Sequence, residues 1–219
     1  QSLFPNFAEL PIEFKTPPFI IVGSNFAFEK TFSLVSDISL LELSDTNSPL
    51  LRELAQKAPG TFQHSLQVAN LASILANRGY FIRPHLVKGI DTPDSYLKLD
   101  FEKEEVGVNP EHFTTVVDAM AEIVEGTARV ARVDGIEICG KTGTVQNKDS
   151  FDHSAFMCFA PKETPKIALS VYVENAGWGG GVAAAISGLL VEKYVKGEVS
   201  PNRAWVENYV MSKAYLNNL

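Results

Sequence analysis

The chain has 219 residues, of which 45% are hydrophobic and 21% charged, enough apolar material for a real core in one large or two small domains. Its net charge of −7 and pI near 5.1 exclude a surface built for nucleic acid, which needs clustered Lys and Arg. The two cysteines, Cys139 and Cys158, lie in apolar strand-like runs with no Cys-x-x-Cys or Cys/His grouping, so no zinc site is indicated and buried free thiols are expected.

The opening "QSLFPNFAELPIEFKTPPF" lacks the basic lead and apolar segment of a secretory signal. No run approaches the roughly 18 apolar residues that a membrane-spanning helix needs. The expectation is a chain without signal peptide or anchor of its own.

Residues 1–25 are rich in Pro and Phe and read as irregular, with a short apolar run at Phe19–Val22. From Glu29 to Leu43 the apolar residues fit helical and alternating spacings equally. Leu50 to Lys57 reads as a helix stopped by "APG" at 58–60. The next helix, Thr61 to Asn77, carries Leu66, Ala69, Ala72 and Leu75 on one stripe, widened by Val68, Leu71 and Ile74. Arg78 and Gly79 supply its stop. A loop with Pro84 and His85 leads into an acidic connection at 91–105. Asn109 then caps a helix with Pro110 in its first position, and Gly126 ends it.

From Gly135 the period changes to two. "GIEICGKTGT" (135–144), "SAFMCFAP" (154–161) and "KIALSVYVEN" (166–175) read as three strands of an antiparallel meander. After "GWGGG" (177–181), "VAAAISGLLVEKYVKG" forms a strongly apolar helix, and the remaining residues read as a frayed tail. The expected class is α+β: an antiparallel sheet of at least three strands, about 135–175, packed with the 61–77 and 182–196 helices.

Lys141-Thr142-Gly143-Thr144 is the stretch that carries chemistry. A Lys ammonium is a point charge suited to a carboxylate, and a Thr hydroxyl adds a directional hydrogen bond. Gly143 lacks a Cβ, so another backbone can lie against the strand edge and pair with it. The Thr144 N–H could donate to a developing oxyanion.

Four stretches around this motif resemble the C-terminal part of class B penicillin-binding proteins, the elongation-type peptidoglycan D,D-transpeptidases, nearest the penicillin-binding protein 2 group. They are "QVANLASILANRGYFIRPHLVK", "VVDAMAEIVEGTARVARVDGIEICGKTGTVQN", "DHSAFMCFAPKETPKIALSVYVENAGWGGGVAA" and "LLVEKYVKGEVS". The resemblance runs over about 67–219 and implies a transpeptidase-like fold. It implies that Lys141 and Thr142 hold a substrate carboxylate, Gly143 shapes the edge strand and Thr144 donates to the oxyanion. Implied partners are a peptidoglycan stem peptide or a β-lactam, with no cofactor, at the periplasmic face of a bacterial inner membrane.

The same resemblance calls for an S-x-x-K helix start, whose Ser attacks a D-Ala-D-Ala carbonyl, and for an S-x-N loop. The formal S-x-x-K match, Ser95 to Lys98, sits in the acidic connection without a helix to bury its Lys, and is not read as the nucleophile. "SPN" at 200–202 is a chance match, and Asp152-His153-Ser154 alternate across a strand, which rules out a relay. The reading is a fragment that keeps the carboxylate cradle, lacks the nucleophile and is inactive alone. Apolar area normally covered by the missing part would favour a homodimer.

Residues 25–72 resemble a second family, the membrane-bound HD-domain phosphohydrolases with seven membrane helices. "PGT-x-x-HS-x-x-VANLA" is matched at 59–72, and His64 falls on that family's first metal-ligand His. Residues 1–66 thus read as the lead-in to an HD domain. The chain has no His-Asp dipeptide, and His85, His112 and His153 have no mutual metal spacing, so no metal is expected at His64. The two patterns meet at "QVANLA" (67–72), as in a chimera. The alternatives are an HD-type phosphohydrolase fragment or a non-catalytic module.

Overall fold

The structure, a computed structural model, describes residues 19–22, 49–83, 89–91, 96–148 and 150–212. Its helices are α1 (Pro49–Lys57), α2 (Pro59–Ala76), α3 (Pro110–Glu125), α4 (Val182–Lys196) and α5 (Ala204–Met211). Its strands are β1 (Phe19–Val22), β2 (Tyr80–Phe81), β3 (Gly89–Asp91), β4 (Tyr96–Lys98), β5 (Glu104–Glu105), β6 (Cys139–Val145), β7 (His153–Ala160) and β8 (Ile167–Val173). The main sheet runs in the order β1-β8-β7-β6. The meander β6-β7-β8 is antiparallel, as its alternation predicts, and the fold is α+β.

Two segments depart from expectation. Phe19–Val22, read as part of an irregular region, pairs in parallel with β8, Phe19 opposite Ala168 and Val22 opposite Val171. Every residue of β8 is buried, so an uncovered backbone edge there would be costly, and "FIIV" suits a buried strand. Residues 204–211, read as the start of a frayed tail, form α5, held to the core by Val206 and Val210 one turn apart. The acidic connection also contains short strands, β3 pairing with β4 and β5 pairing back with β2. The Glu29 to Leu43 run, Pro84, His85, Ser95 and residues 213–219 lie outside the described residues.

The sheet separates two apolar layers. On one face α2 and α3 bring Ala72, Leu75, Phe113, Val117 and Met120 onto Cys139, Phe159 and Ala168. The run of Ala at 69, 72 and 76 lets α2 lie close to the sheet, whereas Leu71, expected in the core stripe, faces outward and is exposed. Asn109 caps α3 as its sequence predicts, its side chain accepting from the Glu111 N–H. Arg78 ends α2, its Nη1 donating to the Leu75 and Ala76 carbonyls and its Nη2 reaching the Lys162 carbonyl at 2.9 Å. One side chain therefore satisfies the helix end and ties it to the β7–β8 turn.

On the other face lies α4, buried continuously from Val182 to Lys193. A helix apolar all round must be covered all round, and α4 is enclosed by β7 and β8, by residues 128–138 and by α5. Gly188 makes that enclosure possible. A Cβ there would stand 2.6 Å from the Ala131 carbonyl oxygen. Glu192, fully buried in α4, is neutralised from three sides. Ser200 Oγ donates to it at 2.6 Å, Lys196 Nζ stands 3.2 Å away, and Arg203 Nε lies at 3.2 Å.

Register places Cys139 opposite Phe159 and Cys158 opposite Gly140, so the two thiols point to opposite layers and remain free. Burial pushes the Cys139 thiol up to about 12 and Cys158 further in the same direction. At pH 8 the native Cys139 should react with a thiol reagent roughly a thousandfold more slowly than in urea, since only thiolate reacts. Because both folded values lie above the unfolded ones, stability contributed by the neutral thiols is intact below about pH 9 and declines above it. Labelling of both cysteines at native pH at the unfolded rate would contradict this packing.

Candidate functional site

β6 is the outermost strand of the sheet, and it carries the whole of Lys141-Thr142-Gly143-Thr144. In an antiparallel ladder every second residue turns its N–H and C=O away from the neighbouring strand, so the outer side of β6 offers backbone groups to an extended chain. Side chains alternate across the faces. Register puts Thr142 and Thr144 on the α4 face with Phe156 and Ser154, and Lys141 on the α2 face with Met157 and Ser170. Lys141 is exposed, and its ammonium curls back to the Thr142 carbonyl at 2.7 Å.

Three glycines set how the strand sits. A Cβ on Gly140 would fall 2.3 Å from Phe156 Cζ, so the tip of that ring occupies the space beside β6 just before the motif. A Cβ on Gly143 would meet Ala155 Cβ at an ordinary 3.4 Å, so Gly143 is not where crowding occurs. The crowding is at Gly179, whose Cβ would stand 2.0 Å from the Gly143 carbonyl oxygen and 2.7 Å from that of Ala155. The sequence points to the right strand, but the glycine that allows close backbone approach lies 36 positions further on.

Hydrogen bonds hold that approach in place. The Gly179 N–H donates to Thr144 Oγ1 at 3.1 Å. Ser154 Oγ, fully buried, donates to the Trp178 carbonyl at 3.1 Å and accepts from the Ala183 N–H at 3.2 Å. His153 Nδ1 accepts from the Asn175 N–H, Asn175 Oδ1 accepts from Asn147 Nδ2, and Asp152 Oδ1 accepts from the Asn147 N–H. Asp152, His153 and Ser154 thus pin two turns to one end of the sheet and share no hydrogen bond, in keeping with their alternation. Trp178, 56% exposed, lays its ring against Gly180 beside this end. The "GWGGG" run was the only sequence signal for this part of the site.

Ser170 shares the row of Lys141 but is two strands away, about 10 Å across the sheet. Ser65 is buried on α2 with no hydrogen-bond partner, Ser187 returns to the Ala183 carbonyl within α4, and Ser154 is committed as above. Lys98, the second half of the S-x-x-K match, is exposed on β4. His64 is exposed on α2, His112 is exposed on α3, and His153 is engaged with Asn175. Among the described residues no three His, Cys, Asp or Glu gather as a metal would require.

A family profile for the penicillin binding protein transpeptidase domain matches residues 48–192. A relative, peptidoglycan D,D-transpeptidase PbpA of Mycolicibacterium smegmatis, is 33% identical over 132 residues, 55% of this chain and 27% of that protein. A ceftriaxone acyl-enzyme of penicillin-binding protein A from Mycobacterium tuberculosis superposes with a TM-score of 0.53 at 27% identity, covering 57% of this chain and 31% of that one. The cyclic-di-AMP phosphodiesterase PgpH of Listeria monocytogenes is 47% identical over 57 residues, 26% of this chain and 8% of that protein. The chain therefore spans about a quarter of the length of the curated transpeptidases it matches.

Gly179→Ala should lower stability by about 1–3 kcal/mol, because backbone on both sides of it cannot yield cheaply. Urea unfolding reads the loss, and amide resonances of Gly143 and Thr144 should move with it. A variant as stable as the parent, with those resonances in place, would show that the turn does not clamp β6.

Proposed function

The chain belongs to the penicillin binding protein transpeptidase family, and from that premise we propose that it forms the carboxylate-binding side of a peptidoglycan D,D-transpeptidase site, without the attacking serine. The observation that carries this is the placement of the whole KTGT run on the outermost strand, with a solvent-exposed ammonium at its start. A stem peptide ending in a carboxylate would add to β6 as an extended strand. Lys141 would release the Thr142 carbonyl and turn to the terminal carboxylate, a charge-assisted bond stronger than the one given up. The Thr142 hydroxyl, which has no protein partner among the described residues, would add a second contact. The Thr144 N–H is the donor aimed at a developing oxyanion, and the Gly179 bond to Thr144 Oγ1 holds that residue still.

Acyl transfer needs a hydroxyl made nucleophilic by a neighbouring base. Among the described residues no S-x-x-K helix start is found, so on this reading the chain alone would bind and not acylate. The 47% match to PgpH over 57 residues supports a composite reading, with an HD-like lead-in before a transpeptidase-like part, although the transpeptidase profile already begins at residue 48. The patterns meet inside α2, which continues unbroken from Pro59 to Ala76. An HD-type phosphohydrolase is the second reading; it would need metal ligands beyond His64.

Incubation with a fluorescent penicillin should give no covalent band after denaturation, and a stable adduct on any serine would overturn the disarmed site. A peptide ending in D-Ala-D-Ala should perturb the amide resonances of Lys141 to Thr144. Lys141→Gln should weaken that binding by roughly tenfold or more, the worth of one charge-assisted hydrogen bond. Perturbation that spares this strand, or equal binding by the variant, would overturn the cradle.

A further inference from the structure

Away from β6, the turn at Arg129–Ala131 and the start of α5 frame a half-open hollow of about 190 Å³. It is lined by Arg129, Val130, Arg132, Asp134, Asn202, Arg203 and Trp205. Three arginines and one aspartate are among these lining residues, on a chain whose net charge is −7. A basic hollow on an acidic protein concentrates anions at that spot.

The partners of each arginine show what remains for a ligand. Arg203 is 8% exposed, and its Nε is held by Glu192 while Nη2 donates to the Val130 carbonyl at 3.3 Å. It is a fixed wall and a fixed charge. Arg129 spends only its Nε, on the Glu125 carbonyl at 3.1 Å, and its terminal nitrogens have no partner among the described residues. Arg132 pairs through Nη1 with Glu125 Oε2 at 3.1 Å, but both side chains are more than half exposed. Such a surface pair is worth little and yields readily to a better acceptor. Trp205, 59% exposed, offers an uncovered ring at the rim, and Asn202 adds an amide.

We propose that this cavity binds a phosphate group, held by Arg129 and Arg132 with Arg203 behind them and with Trp205 against whatever the phosphate carries. A carboxylate presents two oxygens and is satisfied by one guanidinium fork. A tetrahedral phosphate presents three or more and can accept from several forks at once. With Glu125 on Arg132 and Glu192 on Arg203, the positive charge left for a ligand is chiefly that of the Arg129 terminal nitrogens, and the exposed Arg132 pair can open to add a second fork. The group could be carried by a small molecule or by a lipid headgroup, since both show the same oxygens to the pocket.

The chain has two tryptophans, so Trp178→Phe leaves Trp205 as the sole indole reporter. In that background pyrophosphate should change Trp205 emission in a saturable way, and potassium chloride at equal ionic strength should not. Arg129→Gln with Arg132→Gln should raise the half-saturating concentration about tenfold or more, with the far-UV spectrum and melting midpoint confirming that the variant folds. Vesicles of phosphatidylglycerol, compared with neutral vesicles, separate the sources. A response to them alone assigns a headgroup, and a response to pyrophosphate assigns a soluble ligand. No change with either, an equal change with chloride, or an unaltered response in the folded double variant overturns the proposal.

Discussion

The contact of Gly179 with the Gly143 carbonyl is the constraint on which the candidate site rests. Two backbones meet there more closely than any side chain would permit, and hydrogen bonds from Gly179 to Thr144 and from Ser154 to the turn hold them together. Ser154 serves the turn from below through the Trp178 carbonyl and the Ala183 N–H, while Thr144 serves it from the strand. The turn in turn delivers the chain into α4, whose burial depends on Gly188 admitting the Ala131 backbone. Strand edge, turn and central helix therefore form one mechanical unit, and the KTGT residues inherit their positions from it.

The sheet between its two helical layers gives this unit a rigid backing. Phe156 lies over Gly140 on one face and Phe159 packs with Phe113 and Met120 on the other, so neither side of β6 can shift into space. Among the described residues no strand pairs with the outer edge of β6. A strand fixed on three sides and free on the fourth suits the capture of an extended peptide, because the backbone donors need no rearrangement when a partner arrives.

The elements that were legible in the sequence have strong local periodicity. α2 and α3 carry apolar stripes with stop signals beside them, α4 is a long apolar run ended by Gly197, and β7 alternates while turn residues bound β6 and β8. β1 was not legible because parallel pairing with β8 is decided by residues nearly 150 positions away. α5 was not legible because only Val206 and Val210 are fully buried in its eight residues, too few for a pattern. The KTGT motif was legible as chemistry, but its fixing by Ser154 and Gly179 was not, since bonds spanning 24 to 35 residues leave no local trace. Leu71 shows the converse: a helical stripe predicts a width, and packing decides which margin is used.

An unpaired outer strand is also a hazard, since it can stack against the same strand of a second molecule and begin an aggregate. Lys141 stands on that margin, and two copies brought edge to edge would set ammonium groups near one another. The ammonium therefore serves as a guard that turns away an identical neighbour.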